Sequence, residues 1–280
     1  MDVLVTGAYG RCGTALIDHL EDREAYEFTY LNRSERDPDH PYGDYDTHVA
    51  DVADYEAIRP AFDGQDAVVH LAAYPHVEST WDDVFESNVI GTQNVLRAAR
   101  EAEVESVVFG STNHVVGMFE LDHAPDLYEP GYGLVVDHTA PIRPDSQYGA
   151  SKAFGEALGR LYIENHEYPT RFYALRICSV RWHEYDHPYG DAERGVKEGK
   201  YDSGSDAYEE AVARMRAMWH SRRDFAHEVE CCLRDKTVEF DILYGVSDNR
   251  RRWFDLERAR ATLGYNPQDD GEEGEAPSEQ

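Results

Sequence analysis

Apolar residues cluster along this chain in short continuous runs, and the stretches between them carry apolar positions at helical spacing. Residues 3–6, 28–31, 67–73, 106–111 and 171–177 are such runs, with 67–73 reading Ala-Val-Val-His-Leu-Ala-Ala. Runs without alternation suit strands buried on both faces, as in a parallel sheet with helices on either side. A third short strand is expected to end at Asp51, and 238–246 alternates in the manner of a late strand. Helices are expected from a glycine-rich turn to about Leu20, then over 81–101, 146–166 and 255–263. This order predicts an α/β fold, a doubly wound parallel sheet with a small C-terminal part that binds substrate.

Two stretches break the alternation. Residues 118–143 carry several prolines and glycines, and 181–209 are charged with no clear period. Irregular segments longer than about 15 residues in a compact domain tend to be functional, so both are read as covers over a site. Residues 1–267 are expected to form one domain, with substrate-side insertions at 118–143 and 181–212. The stretch 268–280 has no apolar face and is read as an acidic disordered tail.

The chain opens directly on Val3-Leu4-Val5, with no basic segment ahead of an apolar core and no run of membrane-spanning length. The expectation is a cytoplasmic protein with no membrane partner. Cys12, Cys178, Cys231 and Cys232 lack both paired spacing and histidine neighbours at metal intervals. They are expected to be reduced, and no metal is expected.

Charge narrows the partners. Lysine and arginine total 27 against 56 aspartate and glutamate, a net charge of −29. A basic face for nucleic acid is excluded. All but four of the basic residues are arginine, the exceptions being Lys152, Lys197, Lys200 and Lys236. Such a surface suits concentrated salt, where the Debye length falls to about 3 Å at molar ionic strength, and the expectation is a halophile's protein. With 41% hydrophobic and 12% aromatic residues the chain has material for a real core.

Four motifs carry chemistry. Thr6-Gly7-Ala8-Tyr9-Gly10-Arg11-Cys12-Gly13 lies between an expected strand and helix. Its glycines allow a tight turn and let backbone approach a pyrophosphate at the helix N-terminus, the arrangement of a Rossmann-type dinucleotide site. At the end of the second strand, Asn32 and Arg33 stand where such a site often holds an acidic residue for the adenosine ribose. Asn32 removes a repulsive carboxylate and Arg33 offers a cation to a 2′-phosphate, so NADP is expected to be accepted alongside NAD, with a preference for NADP left open.

Tyr148 and Lys152, in Tyr-Gly-Ala-Ser-Lys, are four apart at the start of an expected long helix. An ammonium beside a phenol favours the phenolate, a base able to take an alcohol proton as hydride leaves carbon. The scarcity of lysine makes Lys152 stand out. Phe109-Gly110-Ser111-Thr112-Asn113-His114 ends the fifth strand, where open α/β sheets place ligands. Thr112 is placed to bond the reacting oxygen, with Asn113 and His114 beside it. No second ligand stands at a matching interval to His114, which is read as a polar residue lining the pocket.

Together these motifs resemble the extended short-chain dehydrogenase/reductase superfamily over about residues 1–267. The resemblance implies Thr112, Tyr148 and Lys152 as the catalytic set. It implies cofactor contacts from Gly7, Tyr9, Gly10, Arg11, Cys12, Gly13, Asp51, Val52, Leu71, Ala72, Ala73, Asn88 and Ile177. The phrases Ser-Thr-Asn-His-Val-Val-Gly, Arg-Pro-Asp-Ser-Gln-Tyr-Gly-Ala-Ser-Lys and Tyr-Gly-Val-Ser-Asp-Asn look like the branch of uronate dehydrogenases and haloarchaeal sugar dehydrogenases. That branch oxidises the anomeric C1 hydroxyl of a cyclic sugar to a lactone. It implies sugar contacts from Thr112, Asn113, His114, Tyr148, Ser179 and Arg214, and a homo-oligomer.

Two departures bear on substrate. The stretch 181–212 stands where uronate enzymes have a shorter link, and Asn32 replaces their acidic residue. These point toward a neutral pentose such as L-arabinose, with a uronate or glucose 6-phosphate as alternatives in the same branch. A nucleotide-sugar epimerase or dehydratase is another reading, although the chain after Lys152 is short for a nucleoside-diphosphate pocket. A cofactor-sensing binding protein is disfavoured by the presence of both Tyr148 and Lys152.

Overall fold

The computed structural model describes residues 1–273. Seven strands form one parallel sheet in the order β3-β2-β1-β4-β5-β6-β7. They are β1 (Asp2–Thr6), β2 (Glu27–Asn32), β3 (Thr47–Val49), β4 (Ala67–His70), β5 (Ser106–Thr112), β6 (Arg171–Ile177) and β7 (Phe240–Gly245). The helices are α1 (Arg11–Leu20), α2 (Tyr55–Ile58), α3 (Trp81–Val84), α4 (Gly91–Glu101), α5 (Met118–His123), α6 (Gln147–Asn165), α7 (Gly190–Lys197), α8 (Asp206–Met218), α9 (Arg222–Arg234) and α10 (Glu257–Leu263).

Strand periodicity divides the core. Val3 and Val5 of β1 face one side while Leu4 faces the other. In β5 Val108 takes the first side, Val107 and Phe109 the second. Leu16 of α1 with Phe225 and Val229 of α9 cover the first side. Leu96 of α4 with Leu158 and Tyr162 of α6 cover the second. Every residue of β5 is buried, which is why its sequence is a continuous apolar run rather than an alternating one. The chain order reverses between β1 and β4, leaving a crevice at their C-terminal ends, where ligands bind in open sheets of this kind.

Several expectations need correction. The helix expected over 81–101 is three pieces, α3 and α4 joined by a π-helical segment, Phe85–Ile90. The irregular stretch 118–143 contains α5, and 181–212 contains α7 and the first half of α8. Gly190 and Gly195 inside α7 lower helix propensity and conceal it. A small apolar cluster of Tyr189, Ala192 and Val212 holds α7 to α8 apart from the main core. The pattern assigns no element to α9. The expected disordered tail is ordered at its start: Asp269 accepts from Ser221 Oγ at 2.5 Å and Gly271 N–H donates to Asn249 Oδ1 at 2.8 Å. The rest of that expectation, 274–280, lies outside the described residues. Among the described residues no helix is long and apolar enough to cross a membrane.

Candidate active site

A cavity of about 520 Å³ opens at the C-terminal ends of β1, β2, β4, β5 and β6. The turn after β1 forms its floor. Gly7 has φ +69°, and a Cβ there would meet Ala72 N at 2.6 Å, so the turn is pressed against the chain leaving β4. A Cβ on Gly13 would meet Ala8 O at 2.2 Å. The first turn of α1 has neither a side-chain cap nor an acidic residue, which leaves its N–H groups and positive end facing the cavity. These features fit a dinucleotide diphosphate. Gly10, Arg11, Cys12, Leu71, Ala72, Ala73, Asp51, Val52 and Ile177 line the same space.

At the end of β2 the amide of Asn32 donates to Ser34 O at 2.7 Å, so the side chain is folded onto its own turn. Arg33 and Arg36 line the cavity beside it. Arg36 donates to Tyr9 O at 2.9 Å and lies 5.4 Å from the Tyr9 ring centre. Arg36 escaped the sequence reading, although its place three residues after Arg33 was visible.

The reacting end is built by β5 and α6. The Ser146 hydroxyl accepts from Gly149 N–H at 3.1 Å and caps α6, which presents Tyr148 and Lys152 to the crevice. Burial pushes the Tyr148 phenol up to about 12, opposed by its hydrogen bond with the Thr112 hydroxyl. Burial pushes Lys152 down to about 7. Its Nζ lies 4.7 Å from the Phe109 ring centre, a cation–π position, and the Arg11 guanidinium lowers Tyr148 slightly.

His114 Nδ1 is 2.7 Å from Asp145 Oδ2, a carboxylate that the sequence reading passed over although it lies three residues before Tyr148. Asn113 is buried, with Nδ2 unpartnered, so a donor is left for a ligand hydroxyl. Arg214 reaches the cavity, but Glu120 grips it at 2.6 Å and 3.2 Å, and Tyr128 donates to the same carboxylate at 2.8 Å. Ser179 lies beside Arg181, which is held by Asp191 at 2.5 Å. Glu120, Arg181 and Trp182 gave no signal in sequence.

Asn88 is the expected cofactor residue that the structure does not bring to the cavity. It is buried on the π-helical segment, accepting from Tyr74 N–H at 2.7 Å and donating to Ser151 Oγ at 2.9 Å. It therefore joins the chain after β4 to α6.

Residues 3–227 match the NAD dependent epimerase/dehydratase family. The chain is similar to NAD-dependent glucose-6-phosphate dehydrogenase of Haloferax volcanii, 40% identical over 97% of this chain and 94% of the relative. It is similar also to L-arabinose 1-dehydrogenase (NAD(P)(+)) of the same organism, 35% identical over 95% and 96%. The crystal structure of a mutant uronate dehydrogenase from Agrobacterium tumefaciens, complexed with NAD, superposes with a TM-score of 0.73 at 27% identity, covering 97% of this chain and 86% of that one. The chain belongs to the NAD dependent epimerase/dehydratase family, in its branch of uronate dehydrogenases and haloarchaeal sugar dehydrogenases.

Proposed function

We propose that this sugar dehydrogenase oxidises the C1 hydroxyl of a cyclic aldose to the lactone with NAD or NADP. The carrying observation is that Thr112, Tyr148 and Lys152 share one cavity with the glycine turn before α1. Thr112 and Tyr148 hold the C1 oxygen between their hydroxyls, and Tyr148 takes its proton. The C1–H and O–H bonds break and a C=O bond forms; the nicotinamide, when bound, accepts the hydride. Lys152, nearly free of water, supplies a cation toward the nicotinamide ribose. Asn113 Nδ2 and His114, oriented by Asp145, bond neighbouring sugar hydroxyls.

For the sugar, the grip of Glu120 on Arg214 supports an uncharged aldose such as L-arabinose. The guanidinium is already neutralised, and an anionic substituent would stand next to a carboxylate. A second reading, glucose 6-phosphate, is favoured by Arg11. This half-buried cation lines the cavity near Tyr148, and burial and the neighbouring cations Arg181 and Arg194 lower its pKa. It also accords with the 40% identical relative. NAD(P)H formation in high salt, with L-arabinose, D-xylose, D-galactose, glucose 6-phosphate and glucuronate against both cofactors, tests both readings. Turnover of none of them would sink the proposal.

A further inference from the structure

Arg222 opens α9 and is 2% exposed. Its guanidinium crosses to the other half of the molecule. Nη1 donates to the carbonyl of Arg11 at 3.0 Å and to that of Arg181 at 3.3 Å. Nη2 donates to Thr14 Oγ1 at 3.1 Å and to Asp18 Oδ2 at 2.5 Å. Its own backbone N–H donates to Asp186 Oδ2 at 3.1 Å. One planar cation thus bonds the first turns of α1, which carry the cofactor's phosphate turn, and the stretch leaving β6, which walls the sugar end.

Helices α1 and α9 also share a core, with Leu16, Phe225 and Val229 in one apolar cluster. The Arg222 Nε is buried without a partner, so the binding of this side chain runs through Nη1 and Nη2. The acceptors diverge in a way that suits a guanidinium fork and not the single ammonium of lysine. We propose that Arg222 is a positioning residue that holds the phosphate turn and the sugar wall in register, so that cofactor and sugar meet at the reacting distance. The inference rests on the function proposed above, in which those two surfaces hold the two reactants.

Arg222→Ala and Arg222→Lys test it. The expected result for Arg222→Ala is a loss of about 10- to 100-fold in kcat/KM for the sugar, the scale of a misplacement near 1 Å. Binary NADH affinity, read by fluorescence titration, should change less than about threefold, because the phosphate turn is intact. Millimolar guanidinium chloride, but not matched sodium chloride, should restore part of the lost rate. Arg222→Lys should show the same split at a Tm near that of the unaltered protein, which keeps the idea testable if the alanine variant fails to fold. An unchanged kcat/KM for the sugar, or NADH affinity falling in parallel with it and no guanidinium rescue, overturns the proposal.

If the unaltered protein turns over no sugar, the function fails but this inference keeps its own readout. NADH binding should slow hydrogen exchange in both 11–18 and 179–189 of the unaltered protein, and in 11–18 alone of Arg222→Lys. Protection of 179–189 persisting in that variant refutes the coupling.

Discussion

The Tyr148 phenol is pushed up to about 12 by burial, with only partial relief from Thr112. At pH 8 that leaves a phenolate fraction of about one in ten thousand, and each pH unit between is worth about 1.4 kcal/mol. A positive charge within a few ångströms lowers such a group by about one to three units. Bound oxidised nicotinamide is the candidate, because Lys152, pushed down to about 7, has lost its charge at these pH values, so the inflection in the working complex falls between about pH 9 and 11. Initial rates of sugar oxidation measured from pH 6 to 11 in high salt should give log kcat/KM rising with unit slope from neutrality to that inflection. Tyr148→Phe should remove the slope and lower kcat/KM by about 10²- to 10⁴-fold, the usual share of a general base. A second inflection near 7 that vanishes in Lys152→Met would belong to the lysine, which burial pushes down to about 7. A profile flat from pH 7 to 9, or a phenylalanine variant retaining a tenth of the activity, would refute Tyr148 as the base.

Glu120→Gln releases the charge of Arg214 and should raise kcat/KM for glucuronate relative to L-arabinose by about tenfold, the worth of one charge-assisted bond; an unchanged ratio would place the anionic end elsewhere. Glu156→Ala strands Arg176, which is 1% exposed and bonded to Glu156 at 2.8 and 2.9 Å. Removing one partner of a buried pair costs about 3–5 kcal/mol, a fall of about 10 °C in Tm, and a thermal melt within 2 °C of the unaltered protein would contradict it. Arg33→Ala combined with Arg36→Ala should raise KM for NADP by about tenfold and leave that for NAD nearly unchanged, whereas equal effects on both would remove the 2′-phosphate reading. Potassium chloride titrated into dilute buffer should raise Tm, because a charge of −29 repels itself until screened; a Tm that falls or stays level would show that repulsion does not limit stability.

Local spacing explains what was legible in the sequence. The glycine turn, the end of β5 and the Tyr148 to Lys152 step each lie within a few residues, so backbone geometry alone fixes who stands beside whom. Strand positions were readable because burial on both faces leaves no polar alternation, as in β5. What escaped depends on distant partners. Glu120 and Arg214 are 94 residues apart, and Arg222 and Arg11 are 211 apart; no pattern in either neighbourhood announces the other. Helical spacing correctly put Tyr148 and Lys152 at one cavity. It could not foresee that the lysine would lean onto Phe109, since a long side chain follows its aromatic neighbour as readily as its helix face. Asn88 bonds Tyr74 and Ser151, partners 14 and 63 residues away that its own neighbourhood does not announce.

The start of α9 has a consequence for the order in which the molecule can be completed. Ser221 caps Asp224 N–H at 3.1 Å while its hydroxyl leans on Asp269, and the Asp224 carboxylate receives the N–H groups of Gln268 and Asp269 at 2.8 and 3.0 Å. During synthesis β1 to β5 can pair as soon as residue 112 has emerged, because every strand order they need is already present. The first turn of α9 gains its bonds from Gln268 and Asp269 only once those residues have emerged. The glycine turn and its strands are thus encoded well ahead of the helix that Arg222 ties to them.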